Sequence, residues 1–486
     1  MRIAYVSAGA ADMYCGSCLH DNTLVAALQR LGHDAVLVPT YTPLRTDEPG
    51  VAIERVFFGA LNVYLKQIAP PLRRGWPRLE RLLDRPRLLA LVARLGSATD
   101  PGRLGELTLS VLRGEQGNQA GELDKLVGWL RDSFRPEVVH LTNSMFAGFA
   151  RRLKAELGVP VVCSVQGEEL FLDGLAEPSR GAVRAALAER AQDVDLFVAP
   201  SRFYADLMAS YLQVERGRLA VVPLGLNLSG HGVEGAAGHG ARDAAGRGAG
   251  HADGDGARDA EGDGARDAEG DGAGHGPGPG AARGAGEPWV VGYLGRIAPE
   301  KGLDLVAAAF RRLADVLGGA GRVRLHVAGY LPPQHRGYLR DVERQLRGWG
   351  LGGDYRYAGE VTREEKIAFL AGLDLLAVGT VYPEPKGLYV LEALANGVPV
   401  VAPRHGAFPE LLAETGGGVL VAPRDPAALA AALAELLRDP GRRQRLGRAG
   451  REAVHARHGD EAMAAATLAL YQGLVHGRRE AAALGG

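Results

Sequence analysis

Short apolar runs alternate with helix-like segments along most of this 486-residue chain, and this alternation limits the fold more than any other feature. Near the start, "RIAYVSAG" has the composition of a buried strand, "LHDNTLVAALQRLGH" has helical spacing and ends at Gly32, and "DAVLVPT" is again strand-like. Strands that alternate with helices form a parallel sheet with helices on both faces. The sequence therefore predicts a doubly wound α/β architecture.

The same alternation returns on both sides of a central low-complexity tract. The further strand-like runs in the first half are "PEVVHLTNS", "VPVVCSVQG", "VDLFVAPS" and "LAVVPLG". Those in the second half are "PWVVGYLGRI", "RVRLHVAGY", "DYRYAGEV", "LDLLAVGT", "VPVVAPRHG" and "GGVLVAP". We therefore predict two Rossmann-like domains, at 1–228 and 287–460, with a ligand crevice between the carboxyl ends of their strands. The remaining segment, 461–486, is predicted to be a helix that packs back on the N-terminal domain.

Two segments interrupt this pattern. Residues 229–286 consist almost wholly of Gly, Ala, Asp, Arg, Glu and His, and they have too few apolar side chains to offset the entropy of ordering, so we predict a disordered linker. Residues 61–113 are arginine-rich and predicted helical, either as a solvated insertion or as an acceptor-binding or membrane-surface element. Widely spaced histidines in the linker are weak candidates for metal ligands: His231, His239, His251 and His275.

The overall charge excludes one class of partner. Lysine and arginine (56) balance aspartate and glutamate (57), so no global field recruits nucleic acid or an anionic membrane.

The first apolar run is too short for a signal peptide, and no stretch approaches the roughly 18 to 20 apolar residues of a spanning helix. We therefore expect a cytoplasmic protein, with peripheral contact at the inner face of the plasma membrane if 61–113 is a membrane-surface element.

Three cysteines are too few for a disulfide framework, which agrees with a reducing compartment. Cys15 and Cys18, in "YCGSC", have the spacing of a redox pair or of half a zinc site, but no second pair completes such a site. The alternative is that they are small residues packed beside a ligand. Cys163 is interpreted as an apolar strand residue.

The stretch "GYLGRIAPEKGLDL" carries two cations to the end of a predicted strand. Gly295 permits a turn, and Arg296 and Lys301 precede Gly302 and a helix. Two cations at a strand's carboxyl end beside a helix start suit a diphosphate. The alternative is a solvated surface turn.

The stretch "EPKGLYVLEAL" contains two glutamates eight positions apart. Gly387 allows close approach of a ligand to the backbone, and the N–H groups of Gly387, Leu388 and Tyr389 form an anion site at a helix start. Glu392 lies about one and a half turns further along and can accept two hydrogen bonds from a ribose diol. Glu384, before the helix, is placed near whatever lies beyond the phosphates.

Together these motifs carry a family resemblance. "GRIAPEKG", "EPKGLYVLEALANGVPVV" and "HGAFPELL" resemble the donor-binding half of the family 4 retaining glycosyltransferases, which have the GT-B fold. "AGAADMYCGSCLHDNTLVAALQRLGHDAVLVP" is similar to the family's glycine loop and first helix, with Gly16 in the loop position. The similarity covers essentially everything outside 61–113 and 229–286.

The resemblance implies transfer of a sugar from a nucleotide diphosphate sugar to an acceptor hydroxyl, with retention of configuration and without a metal or other cofactor. Arg296 and Lys301 would hold the diphosphate, Glu392 the ribose and Glu384 the transferred sugar. A uridine donor is favoured over a guanosine donor, and the acceptor is a small molecule, a glycan or a lipid-linked compound. An epimerase of the same fold and a non-catalytic nucleotide-sugar-binding protein are the alternatives.

The acceptor side departs from the family pattern at two places. Many relatives have two histidines where this chain reads "HLT", so that His140 is present and Thr142 replaces the second. Gln166, in "SVQGEE", stands where a histidine is common. We therefore take as acceptor-side candidates His140, Asn143, Gln166, Glu168 and Glu169.

Overall fold

Two parallel six-stranded sheets form the framework of the protein in a computed structural model, which describes residues 1–9, 16–57, 101–232 and 286–484. The N-terminal sheet has strand order β2-β1-β3-β4-β5-β6. Its strands are β1 (Arg2–Ser7), β2 (Asp34–Pro39), β3 (Val138–Leu141), β4 (Val161–Ser164), β5 (Leu196–Ala199) and β6 (Leu219–Val221). The C-terminal sheet has the order β12-β11-β10-β7-β8-β9. Its strands are β7 (Trp289–Leu294), β8 (Val323–Ala328), β9 (Tyr355–Tyr357), β10 (Leu375–Ala377), β11 (Val400–Pro403) and β12 (Gly418–Val421).

Helices connect these strands and cover both sheets. Those described are α1 (Gly16–Arg30), α2 (Pro101–Leu112), α3 (Ala120–Trp129), α4 (Ala150–Leu157), α5 (Glu169–Asp173), α6 (Ser179–Ala191), α7 (Arg202–Leu212), α8 (Leu303–Leu317), α9 (Arg336–Gly348), α10 (Arg363–Ala371), α11 (Leu388–Ala395), α12 (Phe408–Thr415), α13 (Pro426–Arg438), α14 (Pro440–Arg457) and α15 (Asp460–Leu484). Central strands such as β3 and β4 are buried at every position, because helices lie on both of their faces. The predicted pair of Rossmann-like folds is confirmed.

The last helix returns to the first sheet. Leu226 donates a backbone hydrogen bond to the carbonyl of His458 (2.8 Å), and Asp460 donates one to that of Leu226 (2.9 Å), which fixes where α15 begins. Farther along α15, Met463 and Tyr471 are buried in a cluster with residues of α1 and β1. The C-terminal helix therefore belongs to the core of the N-terminal half.

Two boundaries expected from the sequence need correction. Within the predicted insertion 61–113, residues 61–100 lie outside the described part, but 101–112 form α2, whose Val111 and Leu112 are buried in the N-terminal core. Within the predicted linker 229–286, residues 233–285 lie outside the described part, but His231 is 3% exposed. The ends of both segments carry specific contacts, which composition averaged over the whole segment hides. Among the described helices, none is long and apolar enough to cross a membrane.

Candidate functional site

The loop after β7 holds Lys301 against the segment that follows β10. Residues Pro299–Lys301 form a single 3-10 turn, and Gly302 (φ +68°) leads into α8. A Cβ atom at Gly302 would lie 1.9 Å from the carbonyl oxygen of Gly379, so any other residue would push the two loops apart. Lys301 therefore reaches the residues just beyond Gly379.

Lys301 and Glu384 form an ion pair. The Lys301 Nζ atom lies 2.5 Å from Glu384 Oε2 and donates a hydrogen bond to the Tyr382 hydroxyl (2.9 Å), which in turn donates to the same carboxylate oxygen (2.9 Å). The Glu384 side chain is 7% exposed and that of Lys301 is 16% exposed. Two residues singled out from separate motifs, 83 positions apart, thus meet directly.

Arg296 occupies a more exposed position than Lys301. Its guanidinium pairs with Glu300 (2.5 Å), one turn further along the same loop, and its side chain is 44% exposed. Gly295, just before it, has φ +155°, and its carbonyl oxygen would lie 2.0 Å from a Cβ atom at Gly329. The loops that follow β7 and β8 therefore approach closely here, and the two predicted cations differ in their surroundings.

The start of α11 has the geometry of an anion site. Gly387 is the N-cap with φ +71°, and its carbonyl accepts from the N–H groups of Val390 (3.0 Å) and Leu391 (3.2 Å). The N–H groups of Leu388 and Tyr389 lie in the first turn, where no intrahelical acceptor exists, at the positive end of the helix dipole. The Tyr389 hydroxyl is hydrogen-bonded to Thr380 Oγ1 (2.8 Å), which fixes its ring beside this turn.

Glu392 lies on the next turn of α11 and is bound to a lysine that the sequence did not single out. Lys366, on α10, places its Nζ atom 2.6 Å from Glu392 Oε1 and also pairs with Asp47 from the N-terminal half. Burial opposes the charge of Lys366, but Glu392 and Asp47 outweigh it and raise the pKa of the ammonium above its ordinary value. Glu392 therefore faces a buried, charged lysine.

A cavity between the two halves of the chain adjoins this cluster. From the N-terminal half it is lined by residues that include His20, Thr23 and Glu48, and from the C-terminal half by Arg363, Lys366, Leu388 and Glu392. Burial raises the pKa of Glu48, although a hydrogen bond from Thr23 opposes the shift. Hydrogen-bonding groups from both halves thus converge beside the predicted ribose-binding carboxylate.

Gln166 links the halves on the other side of the cleft. Its Nε2 atom donates to Asp21 Oδ1 (2.9 Å) and to the Thr142 carbonyl (2.8 Å), which directs Oε1 outward. Oε1 accepts a hydrogen bond from Lys386 Nζ (2.7 Å), which also donates to Ser17 Oγ (2.8 Å). Lys386 lies inside the glutamate motif, two residues after Glu384, but no local pattern indicates its partner.

Asp21 is the buried anchor of this network. It accepts hydrogen bonds from Tyr5 (2.7 Å), Ser7 (2.8 Å) and Thr142 (2.6 Å) as well as from Gln166. Burial acts to raise the pKa of Asp21, but the other effects, led by its hydrogen bond with His20, outweigh burial and lower it. An ionised carboxylate is therefore held beneath Gln166.

Three other acceptor-side candidates lie near Gln166. Glu168 is buried and accepts from the backbone N–H of Ser144 (3.0 Å) and of Gln166 (2.6 Å), so it ties two loops together. Burial raises the pKa of Glu169, which accepts a hydrogen bond from the Tyr204 hydroxyl. The Asn143 side chain caps the following turn by accepting from Met145 N–H (3.1 Å).

His140 does not line the cleft, and its selection as an acceptor-side residue is corrected. The ring is fully buried, stacks on Tyr5 at 4.5 Å between centroids, and bonds to the hydroxyls of Tyr471 (2.5 Å) and Ser164 (2.8 Å). Burial lowers the pKa of His140 to about 3. It is a neutral core histidine that joins β3 to α15.

The glycine loop is only partly described. Gly16 begins α1, and an added Cβ atom there would meet no other atom within 4 Å, while residues 10–15, including Cys15, lie outside the described part. Cys18 and Cys163 are buried. In the part of the chain that the structure describes, no three His, Cys, Asp or Glu side chains cluster as metal ligands would.

The sequence did not predict that His231 is packed beside α11, because the tract around it has the composition of a spacer. Asn396 Nδ2 donates to His231 Nδ1 (2.8 Å) and to the carbonyl of Glu392 (2.8 Å), so the histidine packs behind the predicted ribose-binding residue. Burial, with lesser effects of Arg363 and Lys366, lowers the pKa of His231 to about 3. Its ring is therefore neutral at neutral pH, and no compositional signal distinguishes it from the other histidines of the tract.

Two deletions that differ by four residues test this contact. Replacing 235–284 with a flexible glycine–serine linker of about 20 residues should change the free energy of unfolding by less than about 0.5 kcal/mol, since loop-closure cost depends weakly on length. Replacing 231–284 with the same linker removes His231 and should cost about 1–3 kcal/mol, as expected when buried partners are left unsatisfied. Urea denaturation measures both, and equal stabilities would show that the His231 contacts contribute nothing.

Two models of known families match this chain. A family model described as "Glycosyl transferase 4-like domain" matches residues 22–225, and one described as "Glycosyl transferases group 1" matches residues 281–453. The first match includes strands β2 to β6 of the N-terminal sheet, and the second includes all six strands of the C-terminal sheet. The chain belongs to the GT4-type glycosyltransferases with the GT-B fold.

Curated relatives align over part of their length. The chain is 34% identical over 188 residues to a glycogen synthase of Mycobacterium tuberculosis, which covers 39% of this chain and 43% of the relative. It is 34% identical over 194 residues to a D-inositol 3-phosphate glycosyltransferase of Segniliparus rotundus, covering 39% and 40%. It is 32% identical over 177 residues to a GDP-mannose-dependent alpha-(1-6)-phosphatidylinositol monomannoside mannosyltransferase of M. tuberculosis, covering 35% and 44%. The chain thus spans less than half the length of these relatives.

Solved structures match over nearly the whole chain. Sucrose-phosphate synthase from Thermosynechococcus elongatus has a TM-score of 0.63 at 16% identity, covering 98% of this chain and 100% of the other. HepE of Anabaena in complex with UDP has a TM-score of 0.62 at 14% identity, with coverage of 98% and 100%. At such identities the likeness shows the fold alone.

Proposed function

We propose that this protein transfers a sugar from a nucleotide diphosphate sugar to an acceptor hydroxyl, with retention of the anomeric configuration. The observation that carries the proposal is the convergence of Lys301, Glu384 and the first turn of α11 on one edge of the C-terminal sheet, with Glu392 one turn beyond. A cation, a helix start and two carboxylates in that order suit a diphosphate flanked by a sugar and a ribose.

Each residue has a separate role in the proposed reaction. Lys301, Arg296 and the N–H groups at Gly387 bind the diphosphate and stabilise the charge that grows on the leaving group, which is electrostatic catalysis by preorganised donors. Glu392 binds the ribose hydroxyls, and Glu384 binds hydroxyls of the transferred sugar. These donors perform the task that a divalent metal would otherwise perform, so we propose a metal-independent reaction.

Retention follows from the side on which the acceptor attacks. The acceptor oxygen bonds to the anomeric carbon from the face that the diphosphate leaves, and the bond from that carbon to the diphosphate oxygen breaks. The departing phosphate oxygen takes the acceptor's proton. This route needs no side-chain nucleophile.

On the acceptor side we propose Gln166 as the principal contact, with Asn143 and Glu169 at its edges and Glu168 holding the loop. The Gln166 amide is oriented from beneath by the ionised Asp21, and its oxygen points toward Lys386 of the other half. Two of the relatives carry inositol compounds in their names, so polyols and inositol lipids belong in an acceptor panel beside glycans. We propose that the protein acts in the cytoplasm, with peripheral membrane contact if the acceptor is a lipid.

A panel of donors labelled in the sugar tests the proposed reaction. We expect transfer or slow hydrolysis with one donor, and we favour a UDP-sugar over a GDP-sugar, although one relative is named for GDP-mannose. EDTA should leave the initial rate unchanged within about 20%, since cations and a helix start offset the charge of the leaving group. The NMR coupling constant of the product's anomeric proton should match that of the donor.

Other outcomes of the panel separate the alternatives. Formation of an epimer of the donor sugar would favour an epimerase, and binding without turnover would favour a non-catalytic protein. Loss of activity in EDTA with recovery in magnesium would contradict the metal-independent account.

A further inference from the structure

Lys366, Asp47 and Glu392 form a cluster of three buried charges that joins the two halves of the protein. The side chains of Lys366, Asp47 and Glu392 are 10%, 7% and 7% exposed, and the ammonium contacts both carboxylates. Asp47 comes from the loop after β2, whereas Lys366 and Glu392 come from α10 and α11 of the C-terminal half. Because a buried charge needs a partner, none of the three can move without affecting the others.

The position of Lys366 on α10 is itself fixed. The helix begins with a capping box in which Thr362 accepts from Glu365 N–H and the Glu365 carboxylate accepts from Thr362 N–H. Lys366 follows immediately, and its backbone N–H donates to the Thr362 carbonyl (2.8 Å). The ammonium is therefore delivered to the cluster from a rigid helical turn.

Glu392 contacts Lys366 through one of its two carboxylate oxygens. Oε1 lies 2.6 Å from the ammonium of Lys366, with which it forms the ion pair. The backbone of Glu392 is held from behind by Asn396, which donates to its carbonyl (2.8 Å). One oxygen is thus committed to the lysine, and the other belongs to a residue that lines the cavity between the two halves.

We propose that Lys366 is a positioning residue for nucleotide recognition: it fixes Glu392 so that Oε2 meets the ribose hydroxyls, and Asp47 makes this arrangement depend on contact between the two halves. The inference rests on the proposed use of a nucleotide sugar. It adds that Lys366 acts through Glu392 and that Asp47 of the N-terminal half contributes to binding of the donor's ribose through Lys366.

Calorimetry with UDP and with 2′,3′-dideoxy-UDP isolates this effect, because the second compound lacks both hydroxyls that Glu392 would bind. Where the wild-type protein binds no UDP, GDP and its dideoxy form are used instead. We expect wild type to bind the ribose form at least about 10-fold more tightly, as charge-assisted hydrogen bonds allow. Lys366→Met should weaken the ribose form about 10-fold and change the dideoxy form by less than about 2-fold.

Three further variants separate positioning from folding. Lys366→Arg keeps the charge and should retain part of the preference for the ribose form. Asp47→Asn should reduce that preference about 3-fold by loosening Lys366. Arg45→Gln is the matched control, because it breaks another ion pair between the halves, Arg45–Glu360 (2.7 Å), from the same loop as Asp47. We expect no change in preference for Arg45→Gln.

Several results would overturn the inference. Equal weakening of both compounds by Lys366→Met would show a merely structural lysine, and an unchanged preference would show that Lys366 does not act through Glu392. If Asp47→Asn and Arg45→Gln reduced the preference for the ribose form equally, that preference would depend on contact between the two halves in general and not on the Asp47–Lys366 pair. Failure of wild type to bind either nucleotide would instead contradict the proposed function and remove the basis of this inference.

Discussion

Replacing Lys301 with alanine should lower kcat/KM for the nucleotide sugar by about 30- to 1000-fold, which corresponds to about 2–4 kcal/mol of lost transition-state stabilisation. The reason is that the ammonium lies on a loop fixed by the close approach of Gly302 to Gly379, so its charge is already in place when the leaving group departs. Initial rates over a range of donor concentrations measure this loss. We expect kcat to fall more than KM rises, because the charge on the diphosphate grows in the transition state.

The stability of the Lys301→Ala variant must be measured beside its rate. Glu384 is buried, and removing its partner leaves an uncompensated charge, which costs on the order of 3–5 kcal/mol of unfolding free energy. Combining Lys301→Ala with Glu384→Gln should recover much of that stability but none of the rate. Lys301→Arg keeps the charge and should retain part of both. Full activity of the Lys301→Ala variant would contradict the role assigned to Lys301.

Arg296→Ala separates the two cations. The ion pair between Arg296 and Glu300 is exposed. Because such pairs contribute about 0–1 kcal/mol to the free energy of unfolding, the variant should fold normally. A loss of kcat/KM without loss of stability would assign Arg296 to the diphosphate, whereas unchanged kinetics would leave it as a surface residue.

The sequence predicted the fold because local patterns carry it. Every predicted strand appears in one of the two sheets, since short β-branched runs between helical segments specify parallel strands without reference to distant residues. The spacing of Glu384 and Glu392 likewise depends only on one loop and one helix. The residues proposed for the donor side could therefore be selected from local patterns in the sequence.

The rest of the site depends on contacts between distant segments. His140 looked like a cleft residue, but its burial is completed by Tyr471, 331 positions away. Lys366 meets Asp47 across 319 positions, and nothing local marks either residue. His231 lies in a tract whose average composition predicts no packing, although its first residues contact Asn396. Contacts between side chains that are distant in the sequence leave no periodic pattern in the sequence around either residue.

Glu392→Gln and Glu384→Gln should have different effects, the first on nucleotide affinity and the second on turnover. Glu392→Gln keeps the shape but weakens charge-assisted bonds to the ribose, by on the order of 1–2 kcal/mol, so binding of the bare nucleotide diphosphate and of the full donor should weaken alike. Lys366 retains Asp47 as a partner in that variant, so stability should change little. Calorimetry with the bare nucleotide and initial rates with the donor measure the two effects.

Glu384→Gln should leave the affinity for the nucleotide diphosphate within about 2-fold of wild type, because Lys301 remains present to meet the phosphates. Turnover should fall about tenfold or more, since 1.4 kcal/mol lost only from the sugar's transition state corresponds to that factor. The variant also removes the charge that Lys301 faces in this structure, so the affinity for the nucleotide can rise slightly but should not fall. If Glu384→Gln loses nucleotide affinity as badly as Glu392→Gln, then Glu384 shapes the loop that carries Tyr382 and Gly387, and the sugar is bound by other groups.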